Sequence, residues 1–356
     1  MTHLRCCPFM TCLLLAGACG SSDSRTPDAG PVRCTAHDQC ASGACLPDGT
    51  CADGSNVAFV DPRGSDNPQC TQAMPCSTLS SALAKQPYIK VTGVITDNVT
   101  FVDRTVTIMG DRGAKLTSGG VGNVITILGN AQVSIFDLEI SGATGEIGDG
   151  IQVHALEGSV VTLRRVTVSD NGGFGIDVVG STVIIAQSTI RNNASGGAAV
   201  TLDAPATAEI ANNFIYHNGS KTSGTGALFV RIRGAPMAVN HVEFNTMVDN
   251  QSAGFNGRSA GVQCFGGVNA SNNLIFRNKS VALQVDPQID GNCNSGSSLL
   301  MEPNTPGFSA NYHLTDLTPF SIRDAADCTS AIDTDFDGDP RPLGARCDLG
   351  ADEYRP

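Results

Sequence analysis

The segment VTVSDN (166–171) returns as STIRNN (188–193), NFIYHN (213–218), NTMVDN (245–250) and NLIFRN (273–278). Each copy is followed by a Gly- or Ala-rich turn and then a second run: GIDVV (175–179), AVTLD (199–203), ALFVR (227–231), GVQCF (261–265) and ALQVD (282–286), with GIQVH (150–154) ahead of them. The closing residues Asn171, Asn193, Asn218, Asn250 and Asn278 succeed one another at intervals of 22, 25, 32 and 28 residues. A minimum repeat with insertions above it marks a solenoid whose loops vary while its strands stay in register. Within each run apolar and polar residues alternate, as strands with one buried face require.

The alternation assigns inward columns. Val168, Ile190, Ile215, Met247 and Ile275 form one. Ile176, Val200, Leu228, Val262 and Leu283 form a second, and Val178, Leu202, Val230, Cys264 and Val285 a third. The recurring Asn resembles the asparagine ladder of β-helices, in which amides bond from coil to coil, and it is therefore read as structural. No sustained 3.6-residue period supports a helical solenoid. A β-sandwich also uses many short strands but leaves the repeated coil unexplained. The fold class is all-β, a right-handed parallel β-helix solenoid with a small disulfide-rich N-terminal module.

Two motifs extend the resemblance. Residues 58–84, AFVDPRGSDNPQCTQAMPCSTLSSALA, are similar to the opening segment of pectin-lyase-like β-helix proteins: a strand, a Gly-Ser-Asp turn and a capping helix starting near Ser77. The C-terminal run SAIDTDFDGDPRPLGARCDLGADEY (330–354) resembles the ending of surface β-helix proteins with a choice-of-anchor Q domain. These matches cover about residues 57–356. They imply the fold and not a reaction, because such scaffolds serve lyases, hydrolases, epimerases and adhesins alike.

The N-terminus reads as a signal peptide, with Arg5 before the short apolar stretch 9–18. Ala16, Gly17 and Ala18 before Cys19 resemble the bacterial lipobox, although Ala16 stands where Leu is usual. The resemblance implies lipidation of Cys19 and, with Gly20 following, sorting to the outer membrane, facing the periplasm or the cell surface. Membrane attachment is expected only through that lipid. The expected organisation is signal peptide 1–18, lipidated tether 19–33, cysteine-rich module 34–51, leading strand and capping helix 57–88, parallel β-helix 89–300 and C-terminal cap 301–356.

Of 14 cysteines, Cys6, Cys7 and Cys12 go with the signal and Cys19 with the lipid, leaving ten. An even number in an exported chain argues for disulfides. The run containing Cys34, Cys40, Cys45 and Cys51 resembles the small stalk modules of surface lipoproteins. Of three connectivities, Cys34 with Cys45 and Cys40 with Cys51 is the one expected. A zinc site competes poorly, since no Cys-x-x-Cys spacing occurs. Cys70 with Cys76, Cys264 with Cys293 and Cys328 with Cys347 complete the pairing, with a buried free thiol the alternative for Cys264.

The formal net charge of -12 becomes -13 once 1–18, with Arg5 and no acid, is removed. Such a surface repels nucleic acid, which is not an expected partner. The acidic run Asp333, Asp335, Asp337 and Asp339 has the alternating carboxylates of a calcium loop, but Gly344 stands where a bidentate Glu belongs. A structural turn is the simpler reading, calcium is the candidate ion, and the fold requires no cofactor.

Chemistry is sought on the outward positions of the second strand: Gln152, Asp177, Thr201, Phe229, Gln263 and Gln284 in one row, and His154, Val179, Asp203, Arg231, Phe265 and Asp286 two residues on. With coils about 4.8 Å apart and alternate residues about 6.8 Å apart, Asp177, Asp203, His154 and Arg231 would share a patch. Paired carboxylates at that spacing serve glycoside hydrolysis, whereas a lyase needs a base and a cation to stabilise an enolate. On this reading Asp177 and Asp203 act as acid and base or as cation ligands, His154 carries a proton and Arg231 holds a uronate or acts as base. Gln152, Phe229, Gln263 and Phe265 would contact substrate. The absence of Trp weakens sugar stacking, for which Phe229 and Phe265 partly substitute. An extracellular polysaccharide, bound or cleaved, is the expected partner. A surface scaffold or adhesin without enzymatic activity is the alternative, and a solvated strand face would look the same.

Overall fold

The computed structural model describes residues 33–234, 240–254, 259–282, 288–294, 298–301, 307–329 and 331–356. The expected signal peptide, Cys19, the expected tether to residue 32, and Leu283, Gln284, Val285 and Asp286 lie outside them.

The chain winds as a parallel β-helix whose three faces carry a first, a second and a third sheet, the first two continuous through one long strand, while Gln251–Ser252 and Lys279–Ser280 form a further two-stranded sheet. The first sheet stacks Val99–Val102, Ile125–Gly129, Ile151–Ala155, Phe174–Val179, Gly196–Asp203, Leu228–Arg233, Val262–Asn269 and Ile289–Asn294. The second runs from Val57–Val60 through Tyr88–Val91, Thr105–Gly110, Gln132–Phe136, Val160–Arg164, Thr182–Ala186 and Ala208–Ala211 to His241–Glu243. The long strand Val262–Asn269 bends at an irregularity between Cys264 and Val268, and its end joins the second sheet at Asn269. The third sheet holds nine three-residue strands, from Val94–Thr96 to Leu299–Met301. The second sheet thus begins at Val57, inside the segment expected to precede the solenoid.

The corners repeat as faithfully as the strands. Asp137, Arg165, Gln187, Asn212, Phe244 and Asn272 each take a left-handed conformation, with φ between 52° and 57°, where the second sheet turns into the third. Asp170, Asn192, His217, Asp249 and Arg277 do so just after the third. One left-handed residue bends the chain sharply from one face to the next within a single step.

Inside, Val168, Ile190, Ile215 and Met247 follow one another in register and continue to Ile275, all fully buried. The other two inward columns need correction. Ile176 pairs with Ala198 and Val178 with Val200, so the strand Gly196–Asp203 sits two residues from its expected register. A two-residue slip keeps every side chain on its own face, so alternation alone does not detect it. In the last step of the first sheet, Val262 stacks on Ile289 and Cys264 on Gly291.

The asparagine ladder is continuous and buried. Asn171 donates to Asn193 at 2.9 Å, Asn193 to Asn218 at 2.9 Å, Asn218 to Asn250 at 3.0 Å and Asn250 to Asn278 at 2.8 Å. Gln288 terminates it, accepting from Asn278 at 2.9 Å. A second ladder, not read from the sequence, runs Asn213 to Asn245 to Asn273 at 2.9 and 3.0 Å. Both satisfy backbone groups that a corner leaves unpaired: Asn218 accepts from the Asn193 N–H and donates to the Ile190 carbonyl.

All five expected disulfides are present: Cys34–Cys45, Cys40–Cys51, Cys70–Cys76, Cys264–Cys293 and Cys328–Cys347. The capping helix is a single turn, Leu79–Ala82, with Thr78 accepting from the Ser81 N–H. No helix among the described residues is long and apolar enough to cross a membrane.

Candidate functional site on the outward face of the first sheet

Register decides which outward side chains meet. One row reads Gln152, Asp177, Ala199, Phe229 and Gln263, and the row two residues on reads His154, Val179, Thr201, Arg231 and Phe265. Asp203 is therefore not beside Val179 but opposite Arg233, whose Nε lies 2.9 Å from its carboxylate. It stands four residues beyond Ala199, the partner of Asp177, which is about 13 Å along the strand. The Asp177–Asp203 pair expected from the sequence is thus not assembled. Arg231 is two coils and two residues from Asp177, about 12 Å between Cα atoms.

Two groups form instead. In the first, Asp149 and Asn123, both overlooked in the sequence, join Gln152, His154 and Asp177. Asn123 accepts from the Asp149 N–H at 2.8 Å and donates to Gln152 Oε1 at 3.0 Å. The Asp149 carboxylate accepts from the Phe174 N–H at 2.7 Å and from Gln152 Nε2 at 3.4 Å. Burial pushes its carboxyl up to about 6, Asp177 adding to the rise and His154 opposing it. Asp177 is half-buried, and burial raises it too, against the pull of His154. Asp149 occupies the Gly-Asp-Gly turn ahead of the strand, outside any repeating column, which hid it.

In the second group, Phe229 and Phe265 lie with ring centroids 5.5 Å apart, and Arg231 Cζ lies 5.3 Å from one ring and 5.5 Å from the other. All three are partly exposed. The small side chains of Ala199 and Thr201 separate the two groups. Gln263, expected to contact substrate, is fully buried, its amide donating to the carbonyl of Ser259. The residues around Gly224 and Ser259 fold over that part of the row, so Gln263 does not face solvent.

In the acidic run the carboxylates do not converge. Asp335 is fully buried and accepts from the N–H groups of Asp337, Asp339 and Glu353 at 2.9, 2.7 and 2.9 Å. It organises a turn rather than offering free oxygens to an ion. Asp339 pairs with Arg355 and Asp337 with His313, while the backbone carbonyl of Asp333 accepts from Arg341.

The family model described as right handed beta helix region matches residues 123–294. No curated protein and no solved structure matches the chain. The protein is accordingly a parallel β-helix protein carrying a polar and aromatic face on its first sheet.

Proposed function

We propose that the protein binds extracellular polysaccharide along the outward face of the first sheet, held at the cell surface by a lipid on Cys19. The observation that carries this is the Phe229–Arg231–Phe265 group, set on the same face as the amide and carboxylate group of Asn123, Asp149, Gln152, His154 and Asp177. Aromatic rings offer apolar area to sugar faces, and a guanidinium offers two parallel donors to a sugar carboxylate. Because the two groups lie along one face on either side of the Gly196–Asp203 coil, they suit a ligand that is itself extended. Binding without cleavage is favoured, since Asp203 is paired with Arg233 far from Asp177 and the oxygens of Asp149 are engaged by Phe174 and Gln152.

The mature chain is titrated calorimetrically against uronate-rich and neutral polysaccharides while new reducing ends are assayed. The expected result is tighter binding of the uronate-rich polymers, no new ends, and at least tenfold weaker binding by Arg231→Ala. Release of ends would replace binding with catalysis. Absence of binding across the panel would leave a scaffold or adhesin. Cys19→Ala should leave the membrane fraction, and its retention there would refute the anchor.

A further inference from the structure

The C-terminal cap holds a group of side chains that the glycan-binding reading does not use. One ring nitrogen of His313 and one carboxylate oxygen each from Asp337 and Asp352 lie within 4.8 Å of one another. They come from three separate parts of the cap. We propose that these three residues form a binding site for a divalent first-row transition metal, of the zinc or manganese kind, that pins the cap together.

The donor set argues for this class of ion. An imidazole with two carboxylates is the mixed nitrogen and oxygen set suited to Zn²⁺ and Mn²⁺, whereas calcium favours oxygen alone. The site is also built in advance. The His313 ring packs on Phe214 at 4.6 Å and Phe336 at 5.6 Å between centroids, which fixes its plane. Its backbone N–H is held by Ser309 Oγ at 2.9 Å. Asp352 is buried, with its Oδ2 accepting from the Leu314 N–H at 2.7 Å, the orientation a ligand carboxylate needs from its surroundings.

Two features are unspent. His313 Nδ1 is buried without a hydrogen-bond partner, and Nε2 lies 3.3 Å from Asp337. Asp352 is buried with no described Lys or Arg in ion-pair contact. A cation would compensate the buried carboxylate and engage the ring. Asp337, about half exposed, lies on the open side of the group and gives the ion a way in. Donors bound to one ion at about 2.0–2.2 Å lie roughly 3.4 Å apart, so the site needs only a modest contraction, which Asp337 can supply. The remaining coordination positions would be filled by water.

The full mature chain, disulfides intact so that no thiol competes, is stripped with chelator and titrated with Zn²⁺, Mn²⁺ and Ca²⁺ by calorimetry. A Co²⁺ absorption spectrum reports nitrogen ligation independently. The expected result is one Zn²⁺ or Mn²⁺ per chain, a raised melting temperature with metal, and preference over Ca²⁺. His313→Ala should abolish the Co²⁺ spectrum. Asp337→Asn, at an exposed position that leaves the fold intact, should weaken binding at least tenfold with an unchanged far-UV spectrum. Absence of stoichiometric binding, wild-type affinity in Asp337→Asn, or tighter binding of Ca²⁺ than of Zn²⁺ and Mn²⁺ would each overturn the assignment. Glycan binding by the first sheet is unaffected by any of these outcomes.

Discussion

Replacing Asn218 by Ala tests how much of the solenoid rests on its ladder. Asn218 is fully buried in the middle of the row. Its amide donates to Asn250 at 3.0 Å and to the Ile190 carbonyl at 2.8 Å, while its Oδ1 accepts from Asn193 Nδ2 at 2.9 Å and from the Asn193 backbone N–H at 3.1 Å. After substitution Asn193 Nδ2 keeps Val168 O and Asn250 Oδ1 keeps the backbone N–H of residue 218, but the Asn193 N–H is orphaned inside the coil. An orphaned buried donor costs about 1–3 kcal/mol and each lost net hydrogen bond about 1 kcal/mol. With the other three lost bonds at about 1 kcal/mol each, the sum is roughly 4–6 kcal/mol, where an exposed residue would cost at most about 0.5 kcal/mol. The assay is urea unfolding of the disulfide-intact chain followed by far-UV circular dichroism, with several probes because long solenoids need not unfold in one step. Asn250→Ala in the same background should cost less than the two single costs added, by about 1 kcal/mol, since both remove one shared bond. A cost under about 1 kcal/mol for Asn218→Ala, or strict additivity, would refute the ladder as a source of stability.

Asp149 should give the protein a pH signature. Its carboxyl rises from 3.8 to about 6 on folding, so the folded chain binds the proton more tightly than the unfolded one. Stability from this group is full below pH 4 and is lost as pH climbs through 6, a fall of about 3 kcal/mol. Asp149→Asn should flatten that slope and raise the urea midpoint at pH 7 with little change at pH 4, and an unchanged slope would count against the burial argument. In the cap, the buried Arg341 donates to Glu353 at 2.7 Å, to Asn212 at 3.2 Å and to the Gly350 carbonyl at 2.8 Å, tying cap to solenoid. Arg341→Met leaves the Glu353 charge buried and should cost about 3–5 kcal/mol, part of which Glu353→Gln in the same chain should restore. A thermal melt showing the single variant within about 1 kcal/mol of the parent would contradict a stabilising pair.

The fold was legible because its determinants repeat. An Asn that closes each unit, and an apolar residue three positions before it, recur often enough that insertions do not disguise them. The pairing of the ten cysteines from Cys34 onward was also within reach, since in each case the partners lie close along the chain or on adjacent coils. The second ladder had the same kind of signal, for Asn213, Asn245 and Asn273 each stand five residues ahead of an Asn already noticed. Apolar alternation does not mark it, because its Asn residues stand at corners between strands.

The site was not legible in the same way, because its chemistry depends on offsets between coils rather than on any one coil. Reading AVTLD as the counterpart of GIDVV put Asp203 two residues from its true register and created a carboxylate pair that the sheet does not contain. Inward and outward faces survive such a slip unchanged, so no hydrophobic pattern penalises it. A count from the ladder would have caught it: Ile176 lies five residues past Asn171, and Ala198 five past Asn193, which is the observed pairing. The same count fails one coil later, where an insertion separates Asn218 from Leu228, and there only the sheet fixes Phe229 and Arg231 over Ala199 and Thr201. Residues outside the repeat are harder still. Asp149 acts from a turn, and His313, Asp337 and Asp352 meet only because the cap folds back on Phe214. Where function is carried by such residues, the periodicity that reveals the scaffold conceals the site, and register has to be established before any pair of side chains is given a joint role.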